Sequence, residues 1–170
     1  MSGWGRHLLW LGLTVTSCVA AVAPTPVDLE LMVPRRGGFE DVADAVQPSC
    51  GTLDCHGQAT RNLRLFGGRG LRLDQADTSA VGPTTPAEYD ASYWAVVALE
   101  PEVIAAVVQD GGRAPERLLL IRKARGTTRH KGGTLMSPGD NLDNCLTEWL
   151  KGSIAVDACQ AAKTSAENVP

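Results

Sequence analysis

The residues best suited to chemistry lie in one ten-residue stretch, Pro48-Ser49-Cys50-Gly51-Thr52-Leu53-Asp54-Cys55-His56-Gly57. Two nearby cysteines, the second followed at once by a histidine, are the pattern through which a c-type haem is held. The sulfurs form thioethers with the macrocycle and the adjacent imidazole ligates the iron from the proximal side. The usual spacing is Cys-x-x-Cys-His, whereas four residues separate the cysteines here. The adjacency that coordination needs, Cys55-His56, is kept, and the longer loop must bulge to bring Cys50 to its vinyl group, a bend that Gly51 favours. The competing reading of the same residues is a small Cys50–Cys55 disulfide loop with His56 as a polar neighbour.

A sixth iron ligand has few sources. His130, in Arg129-His130-Lys131-Gly132-Gly133, is the first candidate, because its flanking glycines let backbone approach a flat macrocycle closely. Met136 is the alternative distal candidate, and its thioether would raise the reduction potential relative to a second imidazole. A site left open or closed by water is a third arrangement. A zinc centre from Cys50, Cys55, His56 and His130 is disfavoured, since adjacent Cys55 and His56 do not easily reach one tetrahedral ion.

The compartment decides how the other cysteines are read. Residues 1–21 have the order of an export signal: an Arg without acids in the first seven residues, the apolar run Leu8–Val15, then small residues through Ala20 and Ala21. Val15-Thr16-Ser17-Cys18 is similar to a relaxed lipobox, which would make Cys18 the lipidated first residue; cleavage after Ala21 or Ala23 is the other route. Export leaves Cys50, Cys55, Cys145 and Cys159 in an oxidising space, and Cys145 and Cys159 are expected to pair with each other.

The site must be positioned by short helices. Residues 22–38 are rich in Pro and Gly and read as a tether. Phe39, Val42, Ala43 and Val46 form a helical stripe that Pro48 is expected to end. Residues 62–74 alternate leucines with polar residues around Gly67–Gly70, the pattern of a short β-hairpin or of two looped extended segments. Thr85-Pro86-Ala87-Glu88 opens a helix, Pro101 opens another, and Pro115–Ile121 reads as a short helix with a strand as the alternative. A last helix follows Asp140, with Leu142, Cys145, Leu146, Trp149 and Leu150 on one face and Gly152 as its stop. The expected fold is mainly α, one small domain over 39–160 with long loops, and a disordered tail over 161–170.

Taken in order, CGTLDCHG at 50–57, GLRLD at 70–74, PERLLLIRKARG at 115–126, RHKGG at 129–133 and the Trp149–Gly152 helix end make the chain resemble the c-type cytochrome domains of exported planctomycete- and myxobacterial-type proteins. The resemblance spans about 100 residues, from Cys50 to Gly152. It departs from those domains in the wider cysteine spacing and in lacking their Met-Pro-Pro segment. It implies a cytochrome c-like helical domain that carries one covalent haem c on Cys50 and Cys55, with His56 as proximal ligand.

Composition sets the outer bounds. With 170 residues, 44% apolar and 21% charged, the chain suits a single globular domain rather than a disordered or polytopic membrane protein. A net charge of −3 argues against general nucleic-acid binding. Charge is nonetheless uneven: residues 61–72 hold four arginines and no acid, and residues 113–131 hold Glu116 as their single acid among seven cations. No nucleotide-binding glycine pattern or hydrolase triad stands out. The sequence therefore predicts an exported electron carrier rather than a turnover enzyme, located in the periplasm or as an outer-membrane lipoprotein, with a redox partner protein in the cell envelope and no nucleic acid. The alternative is a haem-free, disulfide-stabilised binding or structural module of the envelope on the same fold.

Overall fold

The computed structural model describes residues 32–74 and 82–168. The segment expected to be an export signal, Cys18 and the first part of the expected 22–38 tether lie outside the described residues. Among the described residues, six helices make up the regular structure: α1 Phe39–Cys50, α2 Pro86–Val97, α3 Pro101–Gln109, α4 Leu119–Ala124, α5 Asn141–Leu150 and α6 Val156–Glu167, with a 3-10 turn at Pro115–Arg117. The protein is mainly α, as its sequence periodicity predicts.

Local chemistry explains most of the boundaries. The Thr85 hydroxyl accepts from the Glu88 amide and the Glu88 carboxylate accepts from the Thr85 amide, a complete capping box ahead of Pro86. Asp140 caps α5 by accepting from the Asp143 amide at 2.9 Å. The start of α4 is capped from a distance: Glu100, just before α3, accepts from the Leu119 amide at 2.6 Å. Gly38, at φ 84°, turns the chain into α1 in a conformation that disfavours side chains.

The core is built on an aromatic triad. Phe39 meets Tyr93 and Trp149 at centroid separations of 5.4 and 5.2 Å, and Tyr93 meets Trp149 at 6.2 Å. Their polar tips both return to one short segment, the Tyr93 hydroxyl donating to the Pro34 carbonyl and the Trp149 indole to that of Arg35. Arg36 lies over the Phe39 and Tyr93 rings. The end of the expected tether is thus part of the folded body, because two buried donors need its carbonyls.

Three other expectations change. Pro48 does not end α1 before Cys50. Only Ser49 and Cys50 follow it in the helix, and the Gly51 amide still finds the Gln47 carbonyl at 2.9 Å, so the missing donor breaks nothing downstream. The hairpin is absent among the described residues, where a single isolated bridge links Phe66 and Leu71. The tail expected to be disordered over 161–170 is helical through Glu167. Its alanines hide the periodic signal, yet they let α6 pack closely on α1 and α5. Ala162 is buried there, and Lys163 donates to Asp44 at 2.8 Å.

The Cys145–Cys159 disulfide forms as expected, joining α5 to α6 inside the core. Removing it in Cys145→Ala/Cys159→Ala should lower the unfolding free energy by about 3 kcal/mol, the scale for a loop of this size, read by urea denaturation. A second internal brace is the ion pair of Arg72, 8% exposed, with Glu88, 2% exposed. Burial pushes the Glu88 carboxyl up, but bonds from the Thr85 and Leu73 amides and from Arg72 outweigh it, so its pKa ends below the ordinary value. A carboxyl depressed on folding contributes stability that is present above its unfolded pKa and lost as pH falls through the folded one. Glu88→Gln should therefore cost roughly 1–3 kcal/mol at pH 7. Its deficit against wild type should shrink on acidification below about pH 4, measured by denaturation at both pH values.

Candidate functional site

The Cys50–Gly57 loop leaves α1 and closes on itself through backbone bonds. The His56 amide donates to the Cys50 carbonyl at 2.8 Å, and the Cys55 and Gly57 amides both donate to Thr52 at 2.9 Å. The four residues between the cysteines are taken up in these tight turns. The loop is pressed onto the Gly70 turn. A Cβ on Gly57 or on Gly70 would overlap the Gly51 carbonyl oxygen, and the two glycines lie against each other's Cα atoms. Here glycine serves close backbone approach and not an unusual φ.

His56 is held at three points. Besides its amide, its carbonyl accepts from the Leu65 amide at 2.9 Å, and its ring Nδ1 lies 3.2 Å from the Leu63 carbonyl. A carbonyl can only accept, so this bond places the proton on Nδ1 and leaves the Nε2 lone pair free for a ligand. Burial is the main influence lowering the pKa of His56, with further contributions from His130, Arg61 and Lys123; the Leu63 bond works in the opposite direction.

His130 arrives from the far side of the molecule. After α4 the chain turns at Gly126, and the Leu135 and Met136 amides both return to the Ala124 carbonyl, at 2.8 and 3.1 Å. The intervening loop is thereby folded over the end of α4. The His56 and His130 rings lie 5.9 Å apart between centroids and within 13° of parallel. Gly132 packs beside the His130 ring, where a Cβ would come within 3.0 Å of Cε1.

Both histidines line one cleft of about 520 Å³, which also takes in Cys50 and Cys55. This lies within the roughly 300–1,000 Å³ of small-molecule and cofactor pockets. Its walls are largely apolar, with Val42, Val46, Leu65, Leu120 and Leu146 among them, while Arg61, Lys123, Lys131, Asp54 and Glu100 supply charge. Cys50 and Cys55 are unlinked thiols, unlike Cys145 and Cys159. Burial, with the Cys55 sulfur as a second influence, pushes the Cys50 thiol up to about 12.

The site residues expected from the sequence thus divide. Cys50, Cys55, His56 and His130 come together. Met136, 2% exposed, is packed in the core and does not line the cleft, whereas its neighbour Leu135 does. Sequence reading missed the Leu63 carbonyl, Lys123 and Glu100 as parts of the site. The leucine alternation at 62–65 was the available signal for the first, while a backbone acceptor and two isolated charges carried no spacing of their own.

Among the described residues, no set of three or more His, Cys, Asp or Glu side chains is grouped to hold a bare ion. The two near-parallel imidazoles line one cleft, a donor set that would suit a cofactor carrying its own metal, and His130 Nδ1 is buried without a hydrogen-bond partner. No known protein family matches the chain, and neither the curated proteins nor the solved structures yield a match. The site is therefore read from its own residues.

The contact of Gly57 with Gly51 and Gly70 leads to a direct test. Gly57→Ala should displace the cysteine loop and destabilise the protein by about 1–3 kcal/mol, as overpacking does. Gly37→Ala, at a position with open space, should stay within about 0.5 kcal/mol of wild type. Thermal unfolding of the two variants makes the comparison.

Proposed function

We propose that the protein is an exported monohaem c-type cytochrome-like electron carrier, with Cys50 and Cys55 as thioether attachment points, His56 as proximal ligand and His130 as distal ligand. The observation that carries this reading is the pair of near-parallel imidazoles, from segments 74 residues apart in sequence, facing one cleft that also holds two unlinked cysteines. A bound haem c supplies one reversible electron through its iron.

The chain's own residues do the rest. The Leu63 carbonyl holds the His56 proton on Nδ1 and so orients the ring. The largely apolar walls would keep water from a bound haem, and this burial together with His56 and His130 would tune its potential. His130 closes the second face, and its loop is fastened by the Ala124 carbonyl. Met136 drops behind His130 as the distal candidate because it faces the core. The export signal, the Cys18 lipid anchor and the envelope redox partner remain parts of this same proposal.

The test is expression in a bacterial periplasm with a c-type maturation system, read by intact mass, haem stain and visible spectrum. Wild type should gain the mass of one haem, and Cys55→Ser should lose the two-point attachment. His130→Ala should keep the covalent haem and change the spectrum from six-coordinate to open or water-ligated. An unmodified mass short by the protons of a Cys50–Cys55 disulfide would overturn the reading in favour of a haem-free envelope module.

A further inference from the structure

The two histidines that meet in the cleft are held very differently. His56 is fixed at its amide by the Cys50 carbonyl, at its carbonyl by the Leu65 amide and at its ring Nδ1 by the Leu63 carbonyl. The His130 ring makes no hydrogen bond among the described residues, and its Nδ1 is buried without a partner. What it does meet is the near-parallel ring of His56.

The chain around His130 has the form of a flap with a fastened base and a free tip. At the base, the Thr127 amide and hydroxyl and the Thr128 amide all donate to the Arg122 carbonyl, and the Leu135 and Met136 amides share that of Ala124. From Arg129 to Thr134, by contrast, the single hydrogen bond among the described residues runs from the Gly133 amide to the His130 carbonyl, inside the flap itself. Arg129 and residues 131–134 are exposed. Gly126 and Gly133, near the two ends, adopt φ of 71° and 70°, and as glycines they absorb further backbone rotation at little cost.

Hydrogen bonds from a second group are what fix the orientation and basicity of a ligating imidazole. His56 has one and His130 has none, so His130 is the ligand that a competitor displaces. The flap can carry it outward while every bond at its base stays closed. The space it vacates is that of one imidazole in a cleft with largely apolar walls. Such a space suits a small uncharged ligand better than one that must first shed a hydration shell.

We propose that His130 is an exchangeable ligand: the flap swings out and an uncharged diatomic takes its place on the iron of the haem in the preceding reading, on which this inference rests. The iron–imidazole bond breaks, an iron–diatomic bond forms, and no electron or proton changes hands. The electron carrier is then also a receptor for that ligand, whose occupancy holds the flap open.

The experiment mixes the ferrous, haem-loaded protein with carbon monoxide as the probe and follows the visible spectrum. In wild type the rate should level off as carbon monoxide is raised, because departure of His130 becomes limiting. In His130→Ala that plateau should be lost and the rate should stay proportional to concentration. An adduct in His130→Ala but none in wild type would overturn the proposal, since His130 would then be held fast. Cyanide uptake by the ferric wild type without carbon monoxide uptake by the ferrous would overturn the choice of an uncharged ligand. Amide hydrogen exchange of the purified protein, whatever its haem content, reads the flap separately. The Gly133 amide, although bonded, should exchange at least about tenfold faster than the bonded amides of His56 and Leu65. Equal protection would overturn the flap. A protein without haem, or one whose spectrum is the same in wild type and His130→Ala, defeats the preceding reading, and the exchange rates still decide whether the flap opens.

Discussion

Everything at the site depends on how the stretch from Gly51 to Asp74 satisfies its peptide groups. This segment forms one wall of the cleft but is neither helix nor sheet, so no ladder absorbs its buried donors and acceptors. They are met one at a time. The Phe66 carbonyl takes the Gln47 amide nitrogen at 2.6 Å, and the Phe66 amide donates to the Ser92 hydroxyl at 2.9 Å. The Leu73 amide donates to Glu88, and the Leu63 carbonyl takes the His56 ring. Gln47, Ser92 and Glu88 are buried polar residues on α1 and α2 whose role in the fold is to receive this segment. The helices hold the loop and the loop holds the histidine.

That dependence links the remote parts of the structure to the cleft. The aromatic triad sets α1, α2 and α5 against one another, and the disulfide ties α6 to α5. Through Gln47 and Glu88, the positions of α1 and α2 become the position of His56. On the opposite wall, Glu100 and the Ala124 carbonyl do the same for α4 and the His130 loop. Two short, irregular loops are thereby given definite places by groups many residues away, so that two imidazoles meet without sharing any local structure.

The surface charge fits the same division of labour. Several cations away from the cleft are paired within the fold, Arg36, Arg69 and Lys163 among them, while Arg35 and Arg113 hold no carboxylate among the described residues. Arg72 shows what the first group does: with Glu88 it closes the start of α2 and secures Leu73. Arg129 and Lys131, exposed and without carboxylate partners among the described residues, do nothing comparable for the fold.

Much of this was legible in the residues alone. The helical class, the openings of α2, α3 and α5, the Cys145–Cys159 pair and the grouping of Cys50, Cys55 and His56 all follow from local rules: capping chemistry, 3.6-residue periodicity and short-range spacing. What failed locally was also instructive. Pro48 was read as a stop although the helix runs two residues beyond it, and α6 was missed because alanine carries little hydrophobic pattern until a partner surface selects it. Only the tertiary structure shows that His130 lines the cleft while Met136 is packed in the core, because the two lie six residues apart on one loop and sequence distance says nothing about which faces the cleft. The Ala124 carbonyl fastens the loop that carries both, and the Leu63 carbonyl fixes the His56 proton. Both are backbone acceptors, present at every residue and visible in none, so their action appears only once the chain has folded.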